Sequence, residues 1–294
     1  MTSASGSTFG VGYASQLRRE LSSRNQAYAC KHNLPHCLSY GELPVVAYEP
    51  SETGTKHGNF LPQTYAAINA NPDWRKRLSK PHSQARTSLP HSDRARWCEL
   101  DSSNSSDALL MNVFCYPEVF DDGRVYRLLG VEPGAVPQFG VRARVPLENG
   151  RFDRTEVDMI LGSLLVEAKL TEPDFQVKTR EVVNSYRDFA DVFERRSLPQ
   201  TRSSYCSYQL IRNVLAAHAT DSAFCVLADA RRPDLIEAWY GVMRCVKQAD
   251  LRTRCKVLTW QELSLVLPSE LQDFLAEKYG IAAHPLPPFG PDES

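Results

Sequence analysis

The segment Thr155-Glu156-Val157-Asp158-Met159-Ile160-Leu161-Gly162-Ser163-Leu164-Leu165-Val166-Glu167-Ala168-Lys169 constrains the fold of this chain more than any other. Two apolar runs flank a Gly-Ser pair, and glycine at the first central position is what a two-residue type II′ turn requires, so the segment predicts a β-hairpin. Leu161 then opposes Leu164, Ile160 opposes Leu165, Met159 opposes Val166, Asp158 opposes Glu167, and Glu156 opposes Lys169, each pair sharing one side of the sheet. Opposed Cβ atoms lie roughly 4.5–5.5 Å apart. Two carboxylates at that spacing repel unless one is protonated or a cation lies between them. The register is the sensitive point, because a slip of one residue sends Asp158 and Glu167 to opposite faces.

Along the predicted face, Ile160 and Leu165 come first, then Asp158 and Glu167, then Glu156 beside Lys169. Acid, acid and lysine converge in one patch. Mg²⁺ takes oxygen ligands, keeps several waters, and is typically held by one or two carboxylates together with substrate phosphate oxygens. A bound metal lowers the pKa of its water and neutralises phosphate charge, while a neighbouring ammonium orients the water or stabilises developing charge. The pattern therefore points to phosphodiester hydrolysis, with Lys169 placed for the ammonium's role.

An Asp on one strand followed by Glu-x-Lys on the next resembles the PD-(D/E)XK nuclease superfamily, on Asp158 with Glu167-Ala168-Lys169. The resemblance implies a restriction-endonuclease-like α/β core, a central mixed β-sheet flanked by helices. It also implies Asp158 and Glu167 as ligands of Mg²⁺ or Mn²⁺, and Lys169 as the catalytic lysine. Val157 stands where the family name has Pro, and no first-helix acid is assigned. Glu156 is expected to tune Lys169 or join the metal shell. In some related nucleases a Gln on a helix after the Glu-x-Lys strand contributes to the site, which makes Gln209 a candidate. The segments Trp74–Leu78, Ser105–Asn112 and Tyr208–Asn213 look like restriction-endonuclease-like proteins of bacterial genomes. The implied activity is metal-dependent hydrolysis of DNA by an endonuclease of restriction, defence or repair type. Three readings compete with it: a solvated surface charge cluster, a catalytically silent nucleic-acid-binding or scaffold protein with a nuclease-like fold, and a hydrolase of RNA or a cyclic nucleotide.

With 34 basic and 35 acidic residues, the whole surface is not built to coat nucleic acid, so any phosphate-binding surface is local. Between Pro72 and Trp97, Arg75, Lys76, Arg77, Lys80, Arg86, Arg94 and Arg96 face only Asp73 and Asp93. This segment is expected to track the DNA backbone without reading sequence, the alternative being a solvated helix and loop. No apolar run of about 18 residues is present, which predicts no membrane span, and the expected location is the cytoplasm. A homodimer is compatible with the sequence and not required by it. Eight cysteines without a Cys-x-x-Cys pair read as reduced thiols. Cys30, His32, His36 and Cys37 match no common zinc spacing, and unliganded side chains are the favoured reading.

At 42% hydrophobic content the chain can bury a sizeable core. The expected divisions are a flexible N-terminal tail over 1–26, preferred to a transit-like peptide, an N-terminal arm with the basic segment over 27–96, a nuclease-like domain over 97–284, and a loose tail over 285–294. A short strand is predicted at Val45–Tyr48, helix signals run over Phe60–Leu78, and Ser105 or Ser106 caps a helix with Leu109, Leu110, Val113 and Phe114 inward. Arg124–Leu129 and Phe139–Leu147 are candidate strands. Thr171 is expected to cap a helix burying Val182, Tyr186, Phe189 and Phe193. A second helix over Ser204–Ala219 has Tyr208, Ile211, Val214, Leu215 and His218 as its apolar side and Gln209, Arg212 and Asn213 on the other flank, a solvated face being the alternative to a site role for Gln209. Strands at Ala223–Ala228 and Cys255–Thr259, a helix opened by Pro233, and a last helix ending near Gly280 complete the pattern.

Overall fold

The computed structural model describes residues 9–40, 44–51, 53–82 and 97–283. Helix α1, Phe9–Lys31, occupies most of the segment expected to be a flexible tail. Ala14, Leu17 and Leu21 are buried along it, at spacings of three and four that keep them on one side of the helix. Their sparse pattern among Ser, Gly and Arg hid the helix from a reading of composition. Asn25, fully buried, fastens α1 by donating its amide to the carbonyls of Leu21 and Lys278. Strands β1, His36–Leu38, and β2, Val46–Tyr48, form an antiparallel ribbon beside it. Helix α2, Pro62–Ala70, is followed by short turns at Pro72–Arg75 and Lys76–Ser79.

Helix α3, Ser106–Phe114, begins where the Ser105 hydroxyl accepts the Ala108 N–H at 3.1 Å, and every residue of this helix is buried. Arg124–Leu129 is helix α4, not the strand expected. Gly123 and Gly130, both left-handed, punctuate its two ends, and Val125, Tyr126 and Leu129 supply its buried face. A five-stranded mixed sheet is then built from β3, Pro137–Arg142, β4, Glu156–Leu161, β5, Leu164–Ala168, and two later strands. The hairpin has the predicted register near its turn, Leu161 with Leu164, Ile160 with Leu165 and Met159 with Val166, and Gly162 has the positive φ of 58° that the turn demands.

No helix starts at Thr171. The chain runs through a loop to β6, Lys178–Thr179, and the predicted long helix is two short ones, Arg180–Asn184 and Phe189–Val192. Tyr186 breaks them apart by bridging to Leu147, and Val182 is exposed while Tyr186, Phe189 and Phe193 are buried. Ser204–Tyr205 is β7, paired with β6, so helix α5 starts later than expected, at Tyr208–Ala219. Strand β8, Ala223–Ala228, helix α6, Pro233–Met243, strand β9, Cys255–Thr259, and helix α7, Ser269–Tyr279, follow. The sheet order is β3-β4-β5-β8-β9, antiparallel across the first three strands and parallel across the last three.

Alternation along β5 and β8 divides two cores. Leu164, Val166, Ala168, Cys225 and Leu227 pack with α1, α3 and α7, whereas Leu165, Phe224 and Val226 pack with α5 and α6. β5 is buried along its whole length, as expected for a central strand covered on both faces. Glu167 is therefore a carboxylate set into an apolar strand. Lys278 of α7 is also fully buried. Its ammonium nitrogen donates to the Gly58 carbonyl at 2.7 Å and lies 4.0 Å from the centre of the Tyr48 ring, with the rings of Tyr28, Phe274 and Tyr279 also within 6 Å. Burial pushes its pKa well below the ordinary lysine value.

Candidate active site

The C-terminal end of β5 carries the charged cluster. Glu167 is 1% exposed, and its two oxygens are held by three donors: Lys169 Nζ at 2.6 Å and Gln209 Nε2 at 2.7 Å on Oε1, and Asn213 Nδ2 at 2.7 Å on Oε2. Arg212 Nη2 stands 3.8 Å from Oε2 and donates to the Glu156 carbonyl at 3.1 Å. Gln209, Arg212 and Asn213 occupy the flank of α5 away from its apolar side, the flank on which the sequence offers Gln209 as a site candidate with a solvated face as the alternative. Arg212 and Asn213 are buried because that flank faces Glu167 instead.

Asp158 enters differently. The β4–β5 ladder stops at Met159–Val166, and the Asp158 carboxylate takes the next amide, accepting the Ala168 N–H at 2.8 Å. A side chain thus replaces a main-chain carbonyl and clips the two strands between Glu167 and Lys169. Burial, followed by the negative charges of Glu167 and Asp107, pushes the Asp158 carboxyl well above the usual carboxylate range, although Lys169 and the Ala168 N–H pull the other way.

Lys169 is 4% exposed, with its main chain pinned by Leu227 O and by the Trp260 indole N–H. Burial would depress its ammonium, but Glu167, Glu172 and Asp158 outweigh burial and raise its pKa above the lysine norm. It is therefore a cation at neutral pH, able to stabilise charge and unsuited to accept a proton.

The structure directs Glu156 away from Lys169. Its carboxylate is half exposed and accepts from Arg77 Nη1 at 3.1 Å, because β4 at this point pairs with Arg142 of β3 and no longer with β5. Arg77 also donates to Asp107 at 2.5 Å, and Lys80 reaches the same Asp107 oxygen at 2.9 Å. Gly140 leaves the room for this. A Cβ there would stand 2.2 Å from Arg77 Nη1, and its φ of +62° also favours glycine.

The basic segment accordingly divides. Arg77 and Lys80 are bound to the cluster, Lys76 pairs with Asp73 at 2.7 Å, and Arg75 is exposed. Arg86, Arg94 and Arg96 lie outside the described residues, as does the tail from 285. Asp107, absent from the sequence candidates, is a buried acid in the first turn of α3. Its signal was an Asp inside an otherwise apolar helix just behind a serine cap.

Among the described residues, no three His, Cys, Asp or Glu side chains are placed to hold one metal ion. His32 bonds to Glu277 and His36 to the Leu34 carbonyl. Among the described residues no helix is long and apolar enough to cross a membrane. No curated protein and no solved structure matches the chain. A five-stranded mixed sheet flanked by helices is consistent with a restriction-endonuclease-like fold, and an acid-acid-lysine cluster stands at the end of its central strand. Residues 29–280 match the REase-ARP family, described as Restriction Endonuclease associating with ARP, and the chain belongs to that family.

Proposed function

We propose that this chain is a metal-dependent nuclease that hydrolyses phosphodiester bonds of DNA as an endonuclease. The observation that carries this reading is the convergence on one spot of Asp158, Glu167 and Lys169, with the Asp158 carboxyl frustrated by two neighbouring carboxylates. A divalent cation relieves that frustration. The donor set fits one: a carboxylate offers about four lone-pair sites, Glu167 spends three, and Asp158 spends one on Ala168. Asp158 and Glu167 would hold Mg²⁺ or Mn²⁺, with waters and substrate oxygens completing the shell. With the ion bound, the site would gain a Lewis acid for the phosphate and a water of lowered pKa.

The protein's own residues supply the rest. Lys169, held as an ammonium, stabilises charge on the phosphorane-like transition state and orients the attacking water. Gln209 and Asn213 fix the rotamer of Glu167. Asp107 adds a third acid from α3, and Arg77 and Lys80, which now neutralise it, would turn to substrate phosphate. Arg75 and Lys76 extend this cationic edge.

One observation favours the catalytically silent alternative: the Lys169 ammonium is 2.6 Å from Glu167 and nearly closed to solvent, as in a structural ion pair. Nicking of supercoiled plasmid with Mg²⁺ or Mn²⁺ separates the two. Wild type should cleave, and Lys169→Ala and Asp158→Asn should each lose at least about 10²-fold in rate. Cleavage unaffected by either change, or none by wild type with either ion, supports the silent reading.

A further inference from the structure

A cavity of about 210 Å³ adjoins the charged cluster, with Tyr40, Trp97, Asn104, Ser105, Thr171 and Glu172 among its walls. It shares structure with the cluster on two sides. Thr171 and Glu172 follow Lys169 directly, and Ser105 caps the helix that carries Asp107. The two walls are tied together by the Ser106 hydroxyl, which donates to Glu172 at 2.5 Å, while the other Glu172 oxygen accepts the Leu170 N–H at 2.7 Å. A nucleotide whose phosphate lies at the cluster therefore has its base within reach of this cavity.

The cavity's size and chemistry select what enters. A cavity of about 150 Å³ already accepts a benzene-sized ring, so this one has room for a single heterocycle and not for a base pair. Trp97 is buried in the wall and Tyr40 is 61% exposed, which offers aromatic faces inside and at the mouth. Asn104 stands in the wall, and the nitrogen and oxygen of its carboxamide are closed to solvent and without a hydrogen-bond partner among the described residues. An unpaired buried amide costs roughly 1–3 kcal/mol, and rotation of the side chain into the cavity would let the edge of a nucleobase, with donor and acceptor side by side, satisfy both of its atoms.

We infer that this cavity receives one unpaired base of the DNA substrate, so that the preferred substrate carries a bulged, mismatched or single-stranded nucleotide beside the scissile phosphate. Extrusion costs least where the base is already unpaired, which turns the cavity into a selector for such sites. The inference rests on the nuclease reading and is tested apart from it.

Binding of the full chain to duplexes with and without a single-nucleotide bulge is measured in EDTA, where no hydrolysis occurs. Wild type should bind the bulged duplex at least about tenfold tighter, and Lys169→Ala should keep that preference. Asn104→Ala and the exposed-site variant Tyr40→Ala should each reduce it by at least about fivefold while leaving affinity for paired duplex unchanged. Equal wild-type affinity for both duplexes overturns the inference, as does a preference that survives both substitutions. A free deoxynucleotide binding more tightly than the bulged duplex also overturns it, by making the cavity an effector site. Plasmid cleavage run in parallel keeps the two readings distinct. Cleavage without bulge preference removes only the base cavity, and bulge preference without cleavage removes only the hydrolysis.

Discussion

Lys169 and Lys278 are both buried, and they have opposite chemistry. Lys169 sits against Glu167 at the C-terminal end of the sheet's central strand, and surrounding carboxylates hold it charged. Lys278 sits among four aromatic rings with one carbonyl acceptor, and burial alone drives its ammonium toward neutrality. Burial sets the penalty for charge, and the partner decides whether the charge survives. Only the first environment can present a cation to a phosphate, while the second ties α1, β2 and α7 together.

The sharpest break of this comparison replaces each lysine by methionine. Lys169→Met leaves Glu167 buried without its ammonium, and urea unfolding should show a loss of about 3–5 kcal/mol. Lys278→Met keeps volume and loses one hydrogen bond, so its loss should stay within about 1.5 kcal/mol. Equal losses would refute the distinction. Next in size, Asn213→Leu removes one of Glu167's donors and should cost about 1–3 kcal/mol in the same assay, with a fall in any cleavage rate.

A smaller effect is read from pH. The folded pKa of Lys278 lies below its unfolded value, so between the two the unfolded chain binds more protons and stability rises with pH. The stability of wild type relative to Lys278→Met should therefore grow as pH climbs toward about 10.4, and parallel curves would contradict this. Smallest is Gly140→Ala, expected to cost about 1 kcal/mol through its positive φ. It should also swing Arg77 off Asp107 and Glu156, with a measurable change in the salt dependence of any DNA binding.

The central hairpin was legible because three local signals agree: apolar runs, a glycine at the turn, and charges only beyond Met159 and Val166. Asp107 was not, because its partners Arg77 and Lys80 are nearly thirty residues away and the helix around it reads as core. Periodicity correctly put Gln209 and Asn213 on one flank of α5, but no local pattern says that the flank meets a buried carboxylate in place of water. Arg124–Leu129 misled for a related reason. Six residues with Val125, Tyr126, Leu128 and Leu129 apolar are too short a run for periodicity to choose helix over strand, and the flanking glycines were the decisive signal.

The clip from Asp158 to Ala168 gives one carboxylate an architectural duty. Asparagine can perform that duty, since its carbonyl oxygen accepts the same N–H, whereas alanine leaves the amide orphaned and the strand ends unfastened. Loss of chemistry and loss of shape are thus separable at this position by the choice of substitution. In a relative, an acid or amide retained here speaks first of hairpin geometry, and of hydrolysis only where a glutamate and a lysine stand in register with it.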